Sequence, residues 1–551
     1  MQLMTGADPT SGALGYVSRL VGTTDTQPLI MSVALAVGAA FALKSIVTMV
    51  FRWWLLGHTT RLEAEAAAEL MRRYVMAPYW AHRERKVSVI NRNIGTSVSQ
   101  TFGQVVLGLI STMADVLTLI GVSAVLMAVS PLATIFTIIL FSLLGWGLQL
   151  ALRKRHLQVG QSIAQSDLDA WGSLMPGLQG FRESRLASST DVFVSRFRKA
   201  KSARAQAIRL MTMLYELPKY VLELGFVVGI AGITSVLFAT SSPESALSVL
   251  GVFAAASVRL LPTINRVVAT AGSVRSGQVG MQILVRELEE LDANGYHSDE
   301  PASSERFQGD VVFDKVSYSY PGSETEVLRS ISVTIAQGKT TAFVGSSGAG
   351  KSTLLDILLG LLEPTSGTIS CGGRNILDDT PTWHAGLSVV PQDVYLLDDS
   401  LEQNIAFGKA TGQVDSERLS EAIALAQLTA VVEELPEGVA TRMGERGVRL
   451  SGGQRQRLGI ARAMYRRPDV LVLDEATSAL DNETERKISE TIDSLSGSIT
   501  IAIVAHRLST VKNADKIVFM SDGTVEAEGS FDEVQMNSPE FARLVALGKL
   551  G

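Results

Sequence analysis

Apolar positions follow two patterns along this 551-residue chain, and the pattern changes near residue 283. Before that point five apolar stretches, 29–56, 104–129, 131–152, 217–239 and 246–270, are each long enough to cross a bilayer. A hydrocarbon core of about 30 Å takes ~20 helical residues. Ser130-Pro131 and Ser241-Ser242-Pro243 mark tight turns between neighbouring stretches. From Phe307 onward short β-rich runs, such as Thr341–Gly345 and Val470–Asp474, alternate with helical stretches, as in a soluble α/β domain. The expected organisation is an all-α transmembrane helical bundle over 1–282, a polar, turn-rich linker over 283–306 and an α/β domain over 307–551.

Basic residues orient the spans. Seven lie between 57 and 103, eleven between 153 and 209, and none in the two short turns. The positive-inside rule places both long basic segments, and with them the C-terminal half, in the cytoplasm. These segments are built of strong helix formers, as in Arg61–Arg73, so the membrane helices are expected to run on past the bilayer. Each pair then needs a connector at its far end. Met76–His82 and the stretch from Leu174 to Arg182 carry the Pro or Gly such turns use, and both are expected to dock on the C-terminal domain.

Composition refines this picture. A mean hydropathy of +0.23 fits lipid-facing segments. A net charge of -6 and the lack of a basic groove exclude nucleic acid as a partner. The single Cys371 rules out an internal disulfide framework and reads as a small buried apolar residue. Residues 1–27 have no secretory signal, so insertion relies on the internal spans.

The chemistry lies after residue 340. Gly345-Ser346-Ser347-Gly348-Ala349-Gly350-Lys351-Ser352 follows a strand-like run and precedes a helical one beginning Thr353, which is P-loop spacing in P-loop context. Its backbone N–H groups can cradle a β-phosphate, Lys351 can reach the β/γ-phosphates and the Ser352 hydroxyl can bind Mg²⁺. Further on, the apolar run Val470–Leu473 delivers Asp474 and Glu475 to a strand end, the first suited to Mg²⁺ and the second to polarising a water. Between them Ser451-Gly452-Gly453-Gln454 opens a helix with a good N-cap and bare backbone N–H groups. One nucleotide cannot use both phosphate surfaces of one copy, which points to a second copy.

These residues resemble the nucleotide-binding domain of ABC transporters over roughly 307–545. The resemblance implies ATP and Mg²⁺ as cofactors, an ATP hydrolase coupled to transport, and a homodimer. It implies that Tyr320 stacks on adenine, that Gln392 senses Mg²⁺ and faces the membrane domain, and that Ser451–Gln454 closes on the γ-phosphate of the opposite subunit. It also implies that Ser478–Asp481 links the two sites, that His506 contacts the γ-phosphate, and that Thr441–Gly447 is an extra loop touching the cytoplasmic helix ends. Glu475, His506 and Gln392 are thus the expected catalytic set. Fusion of the membrane and ATPase halves resembles the exporter type and argues against a soluble ABC ATPase or an importer subunit, while the presence of both Lys351 and Glu475 argues against an inactive scaffold. Exporters of this kind use six spans, so the chain resembles one whose first helix is missing. A late-called start or a trimmed chain is the expected explanation; the alternative, a true five-span protein, would leave a gap in the bundle.

Two stretches, Glu216–Glu223 with Pro218 and Lys219, and Val258–Arg266 with Arg259, Pro262 and Asn265, resemble bacterial flippases of lipid-linked oligosaccharides. The resemblance implies basic cavity residues and an amphipathic envelope precursor in the cytoplasmic membrane. Arg259 could bind a pyrophosphate by forked hydrogen bonds, or pair with Asp115 or Glu223. Lys219 and Glu223, four apart on a helix, could face the substrate cavity or satisfy each other. The alternative is an exporter of lipid A-type lipids or of drugs.

Overall fold

The computed structural model describes residues 26–129, 131–240, 243–295, 303–410, 412–444, 447–448, 450–476, 482–495, 497–505 and 511–547. The chain forms two compact units. One contains the described residues up to Val75 together with Glu84–Gly295, and the other joins Met76–Arg83 to the C-terminal half.

The first unit is all helical. The helix α1 (Thr26–Met76) has 51 residues, α5 (Pro131–Gln179) has 49, α7 (Thr190–Thr240) has 51 and α8 (Pro243–Asn294) has 52. At 1.5 Å per residue each is about 75 Å long, more than twice the hydrocarbon thickness. The second span in chain order is composite. It begins as α3 (Val87–Asn91), passes through π-helical Arg92–Ser97 and Gln100–Val106, and ends as α4 (Leu107–Val129). The short helix α6 (Phe181–Leu186) joins α5 to α7, and α2 (Tyr79–Glu84), most of which belongs to the second unit, joins α1 to α3. Among the described residues three helices meet both the length and the apolarity needed to span a bilayer. On α1 large apolar side chains such as Leu35, Ile46, Met49 and Trp53 are exposed, a surface that lipid rather than water would cover.

Two expectations shift by a few residues. The second connector is Phe181–Leu186, because α5 continues through Pro176 to Gln179. Residues 283–294, expected to begin the linker, are the last turns of α8. They remain helical because they are held by partners. Glu287 accepts from Asn93 Nδ2 at 2.9 Å and pairs with Arg85 at 3.3 Å, and Asp292 pairs with Arg73 at 2.8 Å.

The second unit carries two sheets. An antiparallel sheet of order β2-β1-β4-β5 contains β1 (Val311–Ser319), β2 (Glu326–Ile335), β4 (Ser366–Cys371) and β5 (Arg374–Asn375). A six-stranded sheet of order β10-β9-β3-β8-β7-β6 contains β3 (Thr340–Gly345), β6 (Leu387–Val390), β7 (Val470–Asp474), β8 (Thr500–Val504), β9 (Lys516–Ser521) and β10 (Thr524–Gly529). Its strands β6, β7, β8, β3 and β9 are parallel, and β3 and β8 are buried along their whole length. Burial on both faces is why these strands read as unbroken apolar runs.

Candidate functional site

The site forms where the parallel strands end. Register pairs Asp474 of β7 with Val504 of β8, and Val504 with Phe343 of β3, so the chain leaving β3 and the acids ending β7 share one edge. Ligands of open α/β sheets collect there. From β3 the chain turns through Ser346–Gly350 into α9 (Lys351–Leu358). Gly350 caps that helix at φ 94°, and a Cβ on it would lie 2.7 Å from Leu328 Cδ2, so both conformation and space require glycine.

A cleft of about 230 Å³ lies over this turn, lined by Val327, Ser347, Gly348, Ala349, Gly350, Lys351, Ser352, Thr353, Glu475 and Val504. Lys351 is buried, and its Nζ donates to Gly345 O at 2.6 Å and Ser346 O at 3.0 Å. Burial pushes its pKa down, while the nearby Glu475 and Asp474 carboxylates oppose that shift. A buried ammonium that, among the described residues, donates to two backbone carbonyls suits a polyanionic ligand. Glu475 adopts a left-handed conformation at φ 50°, rare for a side chain of its kind, and its N–H donates to Val504 O at 3.1 Å. Its carboxylate accepts from Gln392 Nε2 at 2.8 Å. The structure thus brings Gln392, Glu475, Lys351 and the glycine-rich turn together. Ser352 and Asp474 stand in the same cluster, so the donor set (a hydroxyl, an amide oxygen and a carboxylate) suits Mg²⁺.

Tyr320 lies beside the cleft, its hydroxyl 3.2 Å from Thr353 Oγ1 and its ring edge-on to Tyr318 with centroids 5.1 Å apart. Ser451 caps α10 (Gly452–Tyr465), its hydroxyl accepting from Gln454 N–H at 3.2 Å while Gln454 Oε1 accepts from Ser451 N–H at 2.7 Å. This is a complete capping box. Ser451, Gly452, Gly453 and Gln454 do not line the P-loop cleft of their own chain. His506, Ser478–Asp481 and the Arg259 side chain lie outside the described residues, as do two positions of the Thr441–Gly447 loop.

Some neighbours carried no sequence signal. Gln456, buried on α10, donates from Nε2 to Glu475 O at 3.4 Å and ties the serine-capped helix to the end of β7. Asp356 on α9 is pushed up to about 6 by burial, with Arg83 opposing and Asp474 reinforcing the shift. Arg83 belongs to the first connector, and Tyr79 and Trp80 of that connector pack on the core formed by β1, β2, α9 and Trp383. In the membrane unit Asp115 is engaged by Arg266 at 3.0 Å. Lys219 and Glu223 are exposed and, among the described residues, make no ion pair with each other. Lys219 Nζ lies over the Tyr220 ring at 5.7 Å.

The ABC transporter family pattern matches residues 328–478. The heterocyst differentiation ATP-binding protein HepA of a Nostoc species is 32% identical over 429 residues, 78% of this chain and 69% of that one. An ATP-dependent lipid A-core flippase of Bordetella avium is 30% identical over 444 residues, 78% and 72% of the two chains. A putative multidrug export ATP-binding/permease protein of Bacillus subtilis is 30% identical over 479 residues, 85% and 80%. In fold, the chain superimposes on a bacterial Atm1-family ABC exporter with ATP bound at a TM-score of 0.79, covering 94% and 92% of the chains at 24% identity.

The chain belongs to the ABC transporter family as an exporter-type half-transporter. It is an ATP hydrolase coupled to membrane transport, and its cofactors are ATP and Mg²⁺.

Proposed function

We propose that the protein is an ATP-driven flippase that moves a lipid-linked oligosaccharide, or a similar amphipathic envelope precursor, across the cytoplasmic membrane of a bacterium as a homodimer. The observation that carries the dimer is the separation of two phosphate-binding surfaces. The P-loop cleft lacks the Ser451–Gln454 surface in its own chain, so a second copy supplies it. Two ATP molecules would then be held between facing P-loops and serine caps.

Within each site Lys351 and the backbone N–H groups of Gly345–Thr353 bind the phosphates, and Tyr320 takes the adenine. Ser352, Gln392 and Asp474 would hold Mg²⁺, which supplies charge neutralisation at the phosphates. Glu475 orients the attacking water and accepts its proton, with Gln392 fixing the carboxylate at 2.8 Å beforehand. His506 contacts the γ-phosphate, and Asp481 belongs to the loop joining the sites. Hydrolysis replaces attraction across the sandwich with repulsion between products, and the connectors pass opening and closing to the membrane helices.

The substrate reading rests on Arg259, Lys219 and Glu223 in the last two spans. Asp115, one of the two acids that could neutralise Arg259, is engaged by Arg266 at 3.0 Å, and a cation within a span is costly unless it meets a partner, water or a ligand. The lipid A-core flippase and multidrug relatives support a second reading, export of lipid A-type lipids or drugs. Proteoliposomes separate the two. Polyprenyl-pyrophosphate saccharides are expected to stimulate ATPase several-fold; stimulation by hydrophobic drugs alone would overturn the oligosaccharide reading.

A further inference from the structure

The membrane unit holds a cavity of about 630 Å³ that the ATP site and Arg259 do not involve. Its walls are the π-helical run Arg92–Val106, α5, α7 and α8, contributing Gln100, Gln104, Asp167, Arg204, Tyr215 and Ser276. Gly160, also on its wall, follows the apolar stretch that ends near residue 152 by about two helical turns, roughly 12 Å. The cavity therefore sits at the cytoplasmic mouth of the spans and not in the hydrocarbon.

Its chemistry is specific in three respects. The two charged residues on its wall, Asp167 and Arg204, are paired with each other, so the lining carries no free charge. The remaining polar groups are hydroxyls and amides, each able to donate or accept. The Tyr215 hydroxyl lies 2.8 Å from Ser276 Oγ, which lies 3.2 Å from Gln104 Oε1. The π-helical run leaves the wall open at its glycines, since a methyl group placed on Gly103 would meet nothing within 4 Å. Runs of π-helix are rare and gather at functional sites.

A phosphate or carboxylate would need an unpaired cation here, and an acyl chain, although Ile163, Ile208 and Met211 also line the cavity, would leave its hydroxyls and amides without partners. A neutral polyhydroxylated group needs what this cavity has, with donors and acceptors interleaved and the Tyr215 ring and Met211 to cover C–H faces. We propose that this cavity is a holding site for the uncharged saccharide part of an amphipathic substrate, loaded from the cytoplasm before the lipid part crosses. The assignment of the lipid part rests on the flippase reading above; the saccharide site does not.

Binding of maltotriose, a soluble neutral saccharide, to the detergent-solubilised full chain tests this. Wild-type protein is expected to bind it, and Gly103→Leu, which fills open space, to weaken binding at least tenfold with the basal ATPase rate unchanged. Tyr215→Phe, which keeps the ring stacked on His156 at 5.9 Å and removes only the hydroxyl, is expected to weaken it severalfold. No binding by wild type, or equal binding by all three proteins, overturns the site. ATPase stimulation by a polyprenyl-pyrophosphate saccharide is read in parallel, with the bare polyprenyl pyrophosphate as control. Saccharide binding that the variants lose, without lipid stimulation of wild type, keeps the site and rejects the flippase reading. Stimulation that Gly103→Leu leaves unchanged, with no maltotriose bound, rejects the site and keeps the flippase.

Discussion

At Glu475 the chain accepts a left-handed backbone and a carboxylate tethered to Gln392, an arrangement costly to hold unless the position does work. Glu475→Gln keeps the shape and removes the proton acceptor. It is expected to lower ATP turnover a hundredfold or more while nucleotide stays bound; turnover at the native rate would show that the proton goes elsewhere. Asp356 makes a second prediction. Burial raises its folded pKa to about 6 from the ordinary 3.8. The folded state therefore binds more protons than the unfolded one between those values, and stability falls as pH rises through that window. Asp356→Asn is expected to raise the melting temperature at pH 7.5 and to leave it unchanged near pH 3.5. The lone thiol behaves oppositely to a reactive one. Cys371 is buried on β4, donates to Gly309 O at 3.5 Å, and is pushed up to about 11 by burial. Thiol reagents are expected to label it only after denaturation.

At the scale of elements, local signals were legible and distant ones were not. The P-loop could be read because glycine spacing, flanking strand and following helix are contiguous in sequence, although α9 begins at Lys351, two residues before the expected Thr353. Ser451 as an N-cap could be read for the same reason, and its capping box with Gln454 completes the signal. The helix connectors were visible as Pro- and Gly-marked breaks, but the second lies later because Pro176 is tolerated within α5. What stayed hidden depends on partners far along the chain. Residues 283–294 look like a polar linker until Asn93 and Arg73 are seen to hold Glu287 and Asp292. Asp115 reads in the sequence as a possible partner of Arg259, and its pairing with Arg266 across 151 residues carries no sequence signal. The connector α2 carries its own prediction. Tyr79 and Trp80 pack on the core beside α9, so the double change to Ala is expected to spare basal ATPase yet abolish its stimulation by substrate. Retained stimulation would place the coupling in another element.

For the whole molecule, the proposed sharing of P-loop cleft and serine cap between two copies predicts that ATP turnover is a property of pairs. Ser451→Ala in one copy and Lys351→Ala in the other are expected to leave one composite site intact in a mixed dimer, while each pure variant loses both. Activity restored on mixing therefore checks the arrangement, and no restoration would contradict it. The division of the chain into two units has another consequence. Residues 76–83 belong to the second unit although more than two hundred residues separate them from its remainder. During synthesis this short hairpin tip emerges early and must wait, solvent-exposed, until the ribosome has delivered its seat. An ATPase fragment begun at residue 307 would lack those eight residues, exposing a bare apolar socket where Tyr79 and Trp80 belong, and so would clump unless the missing peptide were added back.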